Sequence, residues 1–238
     1  MITLTIDTCE TRGSVALRRG GATTALRRHQ NSADYSAWLL PAVEEVLAEA
    51  RVKLEEVELL AVATGPGSFT GLRVGLTTVK AWAEVYGKPI VGVSRLEAMA
   101  CSAKGATSLV AASYSAQRSQ LFVALYRSLG DRLVRLGDEQ VVSPKEFVAL
   151  VEGQAAKELV TWISLDPELI TSLQAWKERV ARGDNMEVSA PELASSIGSL
   201  AEQRASVGEF SDPLLLDANY VRRSDAEIFW KGPSSHVG

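Results

Sequence analysis

Thr64-Gly65-Pro66-Gly67-Ser68-Phe69-Thr70-Gly71-Leu72-Arg73-Val74-Gly75 follows directly on the apolar run LLAVA at 59–63. A short apolar run ending in a glycine-rich turn, with periodic apolar residues beyond it, predicts strand, loop and helix in that order. The helix is expected over 69–86, stopped by Gly87 and Pro89, with Ser68 as N-cap, Phe69 as an anchor and Gly65-Pro66-Gly67 setting the entry angle. Such a loop can cradle a phosphate, because backbone N–H groups converge there and the helix N-terminus is electropositive. It can instead let two backbones approach closely. Gly71 and Gly75 are four apart, and Thr78 and Trp82 continue the same side, which leaves a strip nearly free of side chains. Each glycine costs a helix roughly 1 kcal/mol relative to alanine, so a packing demand must offset it. Two surfaces could supply that demand, a partner helix or the sheet of the same lobe. The partner helix is the expectation carried forward.

Working outward, 2–7 and 14–19 have strand composition, and Gly20-Gly21 makes a two-residue hairpin turn before 22–28. A helix is expected from Asp34 to about 50, capped by Ser32 or Asp34, with Ala37, Leu40, Val43, Val46, Leu47 and Ala50 as its apolar stripe. Pro41 inside it removes one backbone hydrogen bond. The runs 57–63 and 89–94 read as strands, completing an α/β lobe that ends near 103. The second half repeats the opening more loosely. Strand-like runs at 108–116, 121–127 and 131–142 precede a helix at 143–152, with Ser143 as N-cap and Pro144 in the first turn. A strand at 158–165 and a helix at 191–206 follow, so the expected division is 1–103 and a smaller lobe over 104–238.

With 238 residues and 46% hydrophobic content the chain can bury a real core. A net charge of -4 argues against a surface built as a nucleic-acid footprint. Two cysteines, Cys9 and Cys101, make a disulfide framework implausible. The opening segment lacks a basic, apolar leader pattern and no apolar run is long enough to span a bilayer, so a cytoplasmic protein is expected.

Asp7 at the end of the first strand, the string GPGSFTGLR, the helix LTTVKAWAEVYGKP, the strand IVGVSRLEAMA and the closing NYVRRSDAE resemble the TsaB (YeaZ) family. The match is sharp over 62–100 and diffuse over 128–210. The resemblance implies an actin/sugar-kinase-like α/β fold of two related lobes, mixed sheets flanked by helices, with the second lobe shortened. It also implies a non-catalytic subunit needed for threonylcarbamoyladenosine formation beside the anticodon of tRNA. Such a subunit binds the homologous catalytic subunit TsaD, shares a complex with a TsaE-like ATPase, touches tRNA only indirectly, and takes no cofactor. A homodimer of the free protein is a further option. In that family the first helix and the helix after the glycine loop form the dimer face. The residues carried over are Tyr35, Trp38, Leu39, Gly65, Pro66, Gly67, Ser68, Phe69, Thr70, Gly71, Leu72, Arg73, Gly75, Thr78 and Trp82. The chain departs from the family pattern at Tyr35-Ser36, where His-Ser is usual, and at 115–119, which read Ser-Ala-Gln-Arg-Ser in place of Asp-Ala-Arg and a glycine.

Asp7 sits where actin-like ATPases place a metal-orienting aspartate. It is either a vestigial nucleotide contact or a turn cap, and Asp7→Ala is expected to leave solution behaviour nearly unchanged. The histidines, His29 and His236, lie almost a chain length apart, so no metal-ligand set is expected. No nucleophile elbow surrounds a serine, and no catalytic residue is assigned. Arg18, Arg19, Arg27 and Arg28 could meet RNA or form a solvated sheet edge, with Arg222 and Arg223 as a second basic pair. Tyr35 and Trp38 are either core residues or an exposed anchor for a partner. The alternative function is an actin-like ATPase or small-molecule phosphotransferase.

Overall fold

The computed structural model describes residues 1–30, 34–105, 107–130, 132–155 and 157–221. The first sheet is built from β1 (Ile2–Asp7), β2 (Ser14–Arg19), β3 (Ala22–Arg28), β4 (Leu59–Gly65) and β5 (Ile90–Ser94), in the order β3-β2-β1-β4-β5. β1 to β3 run antiparallel, and β4 and β5 join in parallel through α1 (Tyr35–Ala50) and α2 (Phe69–Tyr86). The Gly20-Gly21 turn forms as expected, with both residues at positive φ, the twist a two-residue hairpin needs.

The second sheet repeats the first. β6 (Leu109–Ser115), β7 (Leu121–Leu129) and β8 (Arg132–Arg135) make the antiparallel meander, while β10 (Val160–Ser164) and β11 (Asn185–Val188) add in parallel. Its order, β8-β7-β6-β10-β11, is the order of the first sheet with each strand replaced by its counterpart. The expected strand over 131–142 is two, because β9 (Gln140–Val142) pairs separately with β7. α4 (Pro144–Ala155) takes the place of α1, with Ser143 as the expected N-cap, and Glu146 completes a box in which Ser143 N–H donates to Glu146 and Glu146 N–H to Ser143 Oγ. The short α5 (Glu168–Thr171) and α6 (Gln174–Ala181) take the place of α2.

Strand alternation sorts the apolar residues into separate cores. Leu4, Ile6, Leu60 and Val62 face α1 and α2, while Leu59, Ala61 and Ala63 face the opposite side. There they meet Val110, Ala112 and Phe122 of the second sheet across a central layer of α3 (Arg95–Cys101) and α7 (Ala194–Ser206). The outer face of the second sheet packs Leu109, Leu121 and Trp162 against α4 to α6. The result is five layers, with helices outside, between and outside the two sheets. α3 leans mainly on the second sheet and α7 on the first, and Gly198 lets α7 settle onto Thr5 and Arg18. After α7 the chain runs back along the first sheet, where Ser211 bridges Ile90 and Asn219 N–H donates to the Thr64 carbonyl. Residues 194–221 therefore belong spatially to the lobe of residues 1–103.

The α1 stripe differs from its expectation. Leu39, Ala42, Val43 and Val46 are buried, whereas Ala37 and Leu40 are exposed. Both sets fit a helical period and share Val43 and Val46, and the sheet contact turns the start of the helix so that Leu39 points inward in place of Leu40.

Candidate functional site

β4 ends at Gly65, whose φ of 110° no bulky residue adopts readily, and the Gly65-Pro66 peptide is cis. Ser68 N–H then donates to the Cys9 carbonyl at 2.6 Å, and Ser68 Oγ accepts from Gly71 N–H at 3.4 Å, so the expected N-cap forms. The glycine strip turns inward. A Cβ on Gly67 would collide with the Cys9 carbonyl, on Gly71 with the Thr8 carbonyl, and on Gly75 with Thr8 Oγ1. Thr8 closes the contact by donating its hydroxyl to the Gly71 carbonyl at 2.7 Å. The expectation that a partner helix fills the strip is thus corrected at Gly71 and Gly75, and Gly67 of the loop likewise faces the Cys9 carbonyl and not a partner. The segment leaving β1 fills it, because only an absent side chain lets that backbone pass so near α2.

The β1 end is closed around Asp7, which is fully buried. One carboxylate oxygen accepts from Cys9 N–H at 3.1 Å, the turn-capping role, and the other from Arg95 Nε at 3.0 Å. Arg95, also fully buried, donates as well to Glu10 and to the Pro191 carbonyl, and its guanidinium carbon lies 4.9 Å from the Tyr114 ring centre. Tyr114 donates its hydroxyl to the Pro66 carbonyl, tying the second sheet to the glycine loop. Burial, then Asp7, pushes the Cys9 thiol well above its usual range, so it stays protonated and unreactive. Arg12 crosses between lobes to Asp166 at 3.2 Å, and Asp166 accepts from Ser115 N–H at 2.8 Å. Asp7 therefore faces a guanidinium of its own chain. The expected near-silence of Asp7→Ala is corrected for the same reason. Removing the carboxylate leaves buried Arg95 with Glu10 as its remaining counter-charge and its Nε without an acceptor.

The remaining carried-over residues divide by depth. Leu39, Leu72, Gly65 and Pro66 are buried within the chain's own lobe, so as direct contacts for a partner they are corrected too. Tyr35 fastens the start of α1 to the first turn, accepting from Gly13 N–H at 2.9 Å and donating to the Glu10 carbonyl, with its ring stacked on His29. Trp38, Val74 and Trp82 pack partly against the outer core, and Thr78 bonds back to the Val74 carbonyl. Ser68, Phe69, Thr70 and Arg73 are exposed. Arg73 lies 3.9 Å over the Phe69 ring, and Phe69 pairs with Tyr220. With about 3.6 residues per turn, Thr70, Val74, Thr77, Ala81 and Val85 share the outward side of α2. None of them is ionisable, and all are exposed or half-buried. Exposed Ala37, Leu40 and Pro41 lie on α1 in the same layer. The sequence reading missed this stripe because it followed the glycines, which mark the inner side.

A family model described as TsaD, tRNA N6-adenosine threonylcarbamoyltransferase, matches residues 29–194, well over half of the chain. The tRNA threonylcarbamoyladenosine biosynthesis protein TsaB of Bacillus subtilis is 26% identical over 232 residues, covering 97% of this chain and 98% of that protein. The chain belongs to the TsaB (YeaZ) family. A Pseudomonas aeruginosa structure described as similar to peptidase YeaZ superposes with a TM-score of 0.75 at 26% identity, covering 93% of this chain and 99% of that one. A sugar kinase, the ROK hexokinase of Thermus thermophilus, superposes at a TM-score of 0.52 with 12% identity, covering 87% of this chain and all of that one. At that identity the likeness shows the fold alone, and the fold is of the actin and sugar-kinase type.

The departures from the TsaB pattern have structural counterparts. Tyr35, at the usual histidine position, supplies the two hydrogen bonds that pin α1 to the first turn. Gln117, Arg118 and Ser119 all take positive φ, forming a tight left-handed turn between β6 and β7. In the basic hairpin, Arg18 is buried against Glu202, Arg27 pairs with Glu45 and Glu49, and Arg28 with Glu192. Those pairs neutralise three of the four arginines and oppose the RNA option there. Arg222 and Arg223 lie outside the described residues, as does Ser32. Among the described residues no helix is long and apolar enough to cross a membrane, and no cluster of three His, Cys, Asp or Glu side chains could hold a metal.

Proposed function

We propose that this chain is a non-catalytic subunit in threonylcarbamoyladenosine formation on tRNA, acting by binding a homologous TsaD-like catalytic subunit through the outer face of α1 and α2. The uncharged stripe Thr70, Val74, Thr77, Ala81 and Val85 carries this reading. Small and β-branched side chains let a second helix pair approach closely, with the exposed Glu84 at the edge of the stripe. Phe69, Arg73, Ser68 and Tyr220 border the stripe at its N-terminal end and supply polar and aromatic contacts at the rim. Gly67, Gly71 and Gly75 serve the interface from behind, by seating α2 against β1. Asp7, Arg95, Glu10, Arg12 and Asp166 support the absence of catalysis, since their mutual pairs take up the groups a nucleotide and its metal would need. A TsaE-like ATPase and tRNA join through the complex in the cytoplasm, and the free chain can use the same stripe to form a homodimer.

The test is co-elution with a TsaD-like enzyme and its tRNA modification activity. Ala81→Arg places a charge at an exposed position, where substitutions leave stability within roughly 0.5 kcal/mol. It is expected to melt like the parent, to abolish co-elution and to lose modification activity. A variant that still binds and supports modification removes the stripe from the interface. Phosphate release from ATP by the isolated parent chain would remove the non-catalytic assignment.

A further inference from the structure

Where the chain runs back along the first sheet after α7, it makes one helical turn at 212–216. Leu215 N–H and Leu216 N–H both donate to the Asp212 carbonyl, at 3.1 and 2.8 Å, and Leu214 N–H donates to Asp212 Oδ1 at 2.8 Å. The turn is fastened on both sides. Ser211 N–H donates to the Ile90 carbonyl and Ser211 Oγ accepts from Gly92 N–H at 3.0 Å, while the Leu216 carbonyl accepts from Lys80 Nζ of α2 at 2.7 Å. Leu216 packs against the outer core. Leu214 and Leu215, at 88% and 80% exposure, are the two most exposed large apolar side chains among the described residues. A backbone bonded at this many points holds them outward, and two adjacent leucines so placed differ from the singly scattered apolar residues of an ordinary surface.

The turn is continuous with the α2 face. Further along the same segment, Tyr220 stacks on Phe69 and its hydroxyl accepts from Arg73 Nε at 3.3 Å, so residues 212–220 run antiparallel beside α2 on the flank of Arg73, Lys80 and Glu84. α1 lies over β2 and β3, α2 over β4, and this segment along β5. The two leucines thus extend the α1–α2 face on its β5 side. Charges near them are acidic. Asp212 and Asp217 bracket the leucines, Glu84 lies one turn beyond Lys80, and all three are exposed and make no ion pair among the described residues.

We propose that the turn at 212–216 is a second docking point for the TsaD-like subunit, with Leu214 and Leu215 seated in an apolar recess bordered by basic side chains of that subunit. This rests on the subunit role proposed above. An apolar centre with charge pairs at its rim is the usual division of such a contact.

Calorimetric affinity for the TsaD-like enzyme is compared for the parent, Leu214→Asp combined with Leu215→Asp, Ala81→Arg, and Leu129→Asp. Leu129 is the control, an exposed leucine at the end of β7 in the second sheet. The double variant is expected to melt like the parent and to bind about tenfold or more weakly, with Leu129→Asp unchanged. Asp212→Asn, whose amide oxygen still accepts from Leu214 N–H, is expected to flatten the loss of affinity on adding sodium chloride. Hydroxyl-radical footprinting of the parent should show Leu214 and Leu215 protected by the enzyme, and it decides the matter if the double variant does not fold. Parental affinity in the double variant while Ala81→Arg loses binding overturns this inference and leaves the stripe standing. Loss in the double variant with Ala81→Arg still binding upholds the turn and removes the stripe. Unprotected leucines, an unchanged salt response in Asp212→Asn, or a double variant that loses only self-association, which makes the occupant a second copy, each overturn the proposal.

Discussion

Replacing Gly71 by alanine tests the inward reading of the glycine strip most directly. In an open helix the change gains roughly 1 kcal/mol from propensity. Here the new methyl collides with the Thr8 carbonyl, a backbone atom held in the exit from β1, and also nears the Tyr35 ring at 3.4 Å. Neither neighbour is the free end of a flexible side chain. Overpacking of this kind costs typically about 1–3 kcal/mol. Displacing α2 also loosens the 2.7 Å hydrogen bond from Thr8 Oγ1 to the Gly71 carbonyl, worth about 1 kcal/mol. The balance is a loss of roughly 1–3 kcal/mol, and at about 2–4 °C per kcal/mol for a chain of this size the melting temperature should fall by several degrees. Gly153 supplies the internal control. It too lies in a helix, but a Cβ there meets nothing within 4 Å, so Gly153→Ala should gain about 1 kcal/mol and melt higher. Differential scanning calorimetry of the parent and both variants gives the comparison. If Gly71→Ala melts at or above the parent, α2 does not lean on Thr8 as described, and the strip returns to the surface.

Asp7→Ala should destabilise the isolated chain by about 3 kcal/mol in urea unfolding, because it leaves buried Arg95 with Glu10 as its remaining carboxylate and its Nε unpaired; an unshifted midpoint would contradict the buried pair. Glu139 gives a pH signature. Burial raises its carboxyl above the ordinary value of 4.5, although Ser94, Arg135 and Asn219 pull it partway back. The folded state therefore holds more protons than the unfolded between the two values, and this group's contribution to stability falls as pH rises from about 4.5 through its folded pKa. Glu139→Gln removes that dependence, so its stability relative to the parent should grow across that window and level off above it. A difference that is flat or shrinks with rising pH refutes the assignment.

Local chemistry determined much of this protein by sequence alone. The hairpin at Gly20-Gly21, the Ser68 and Ser143 caps and the alternation in 59–63 depend on a few neighbouring residues, and each element forms where its residues predict. The repeated meander was legible for the same reason, but not the shared strand order, which depends on pairings between distant segments. What only the tertiary structure decided is which side of each helix is inside. The Gly67, Gly71 and Gly75 spacing records that something passes close to α2 without recording what, since a missing side chain is equally consistent with a partner and with Thr8. Leu39 and Leu40 likewise satisfy the same helical period until the sheet selects one of them. Arg95 went unnoticed because nothing adjacent to it in sequence marks an arginine as buried. Its partners, Asp7, Glu10 and Pro191, are up to 96 residues away, and a charge can be buried only where the fold has already brought its counter-charges.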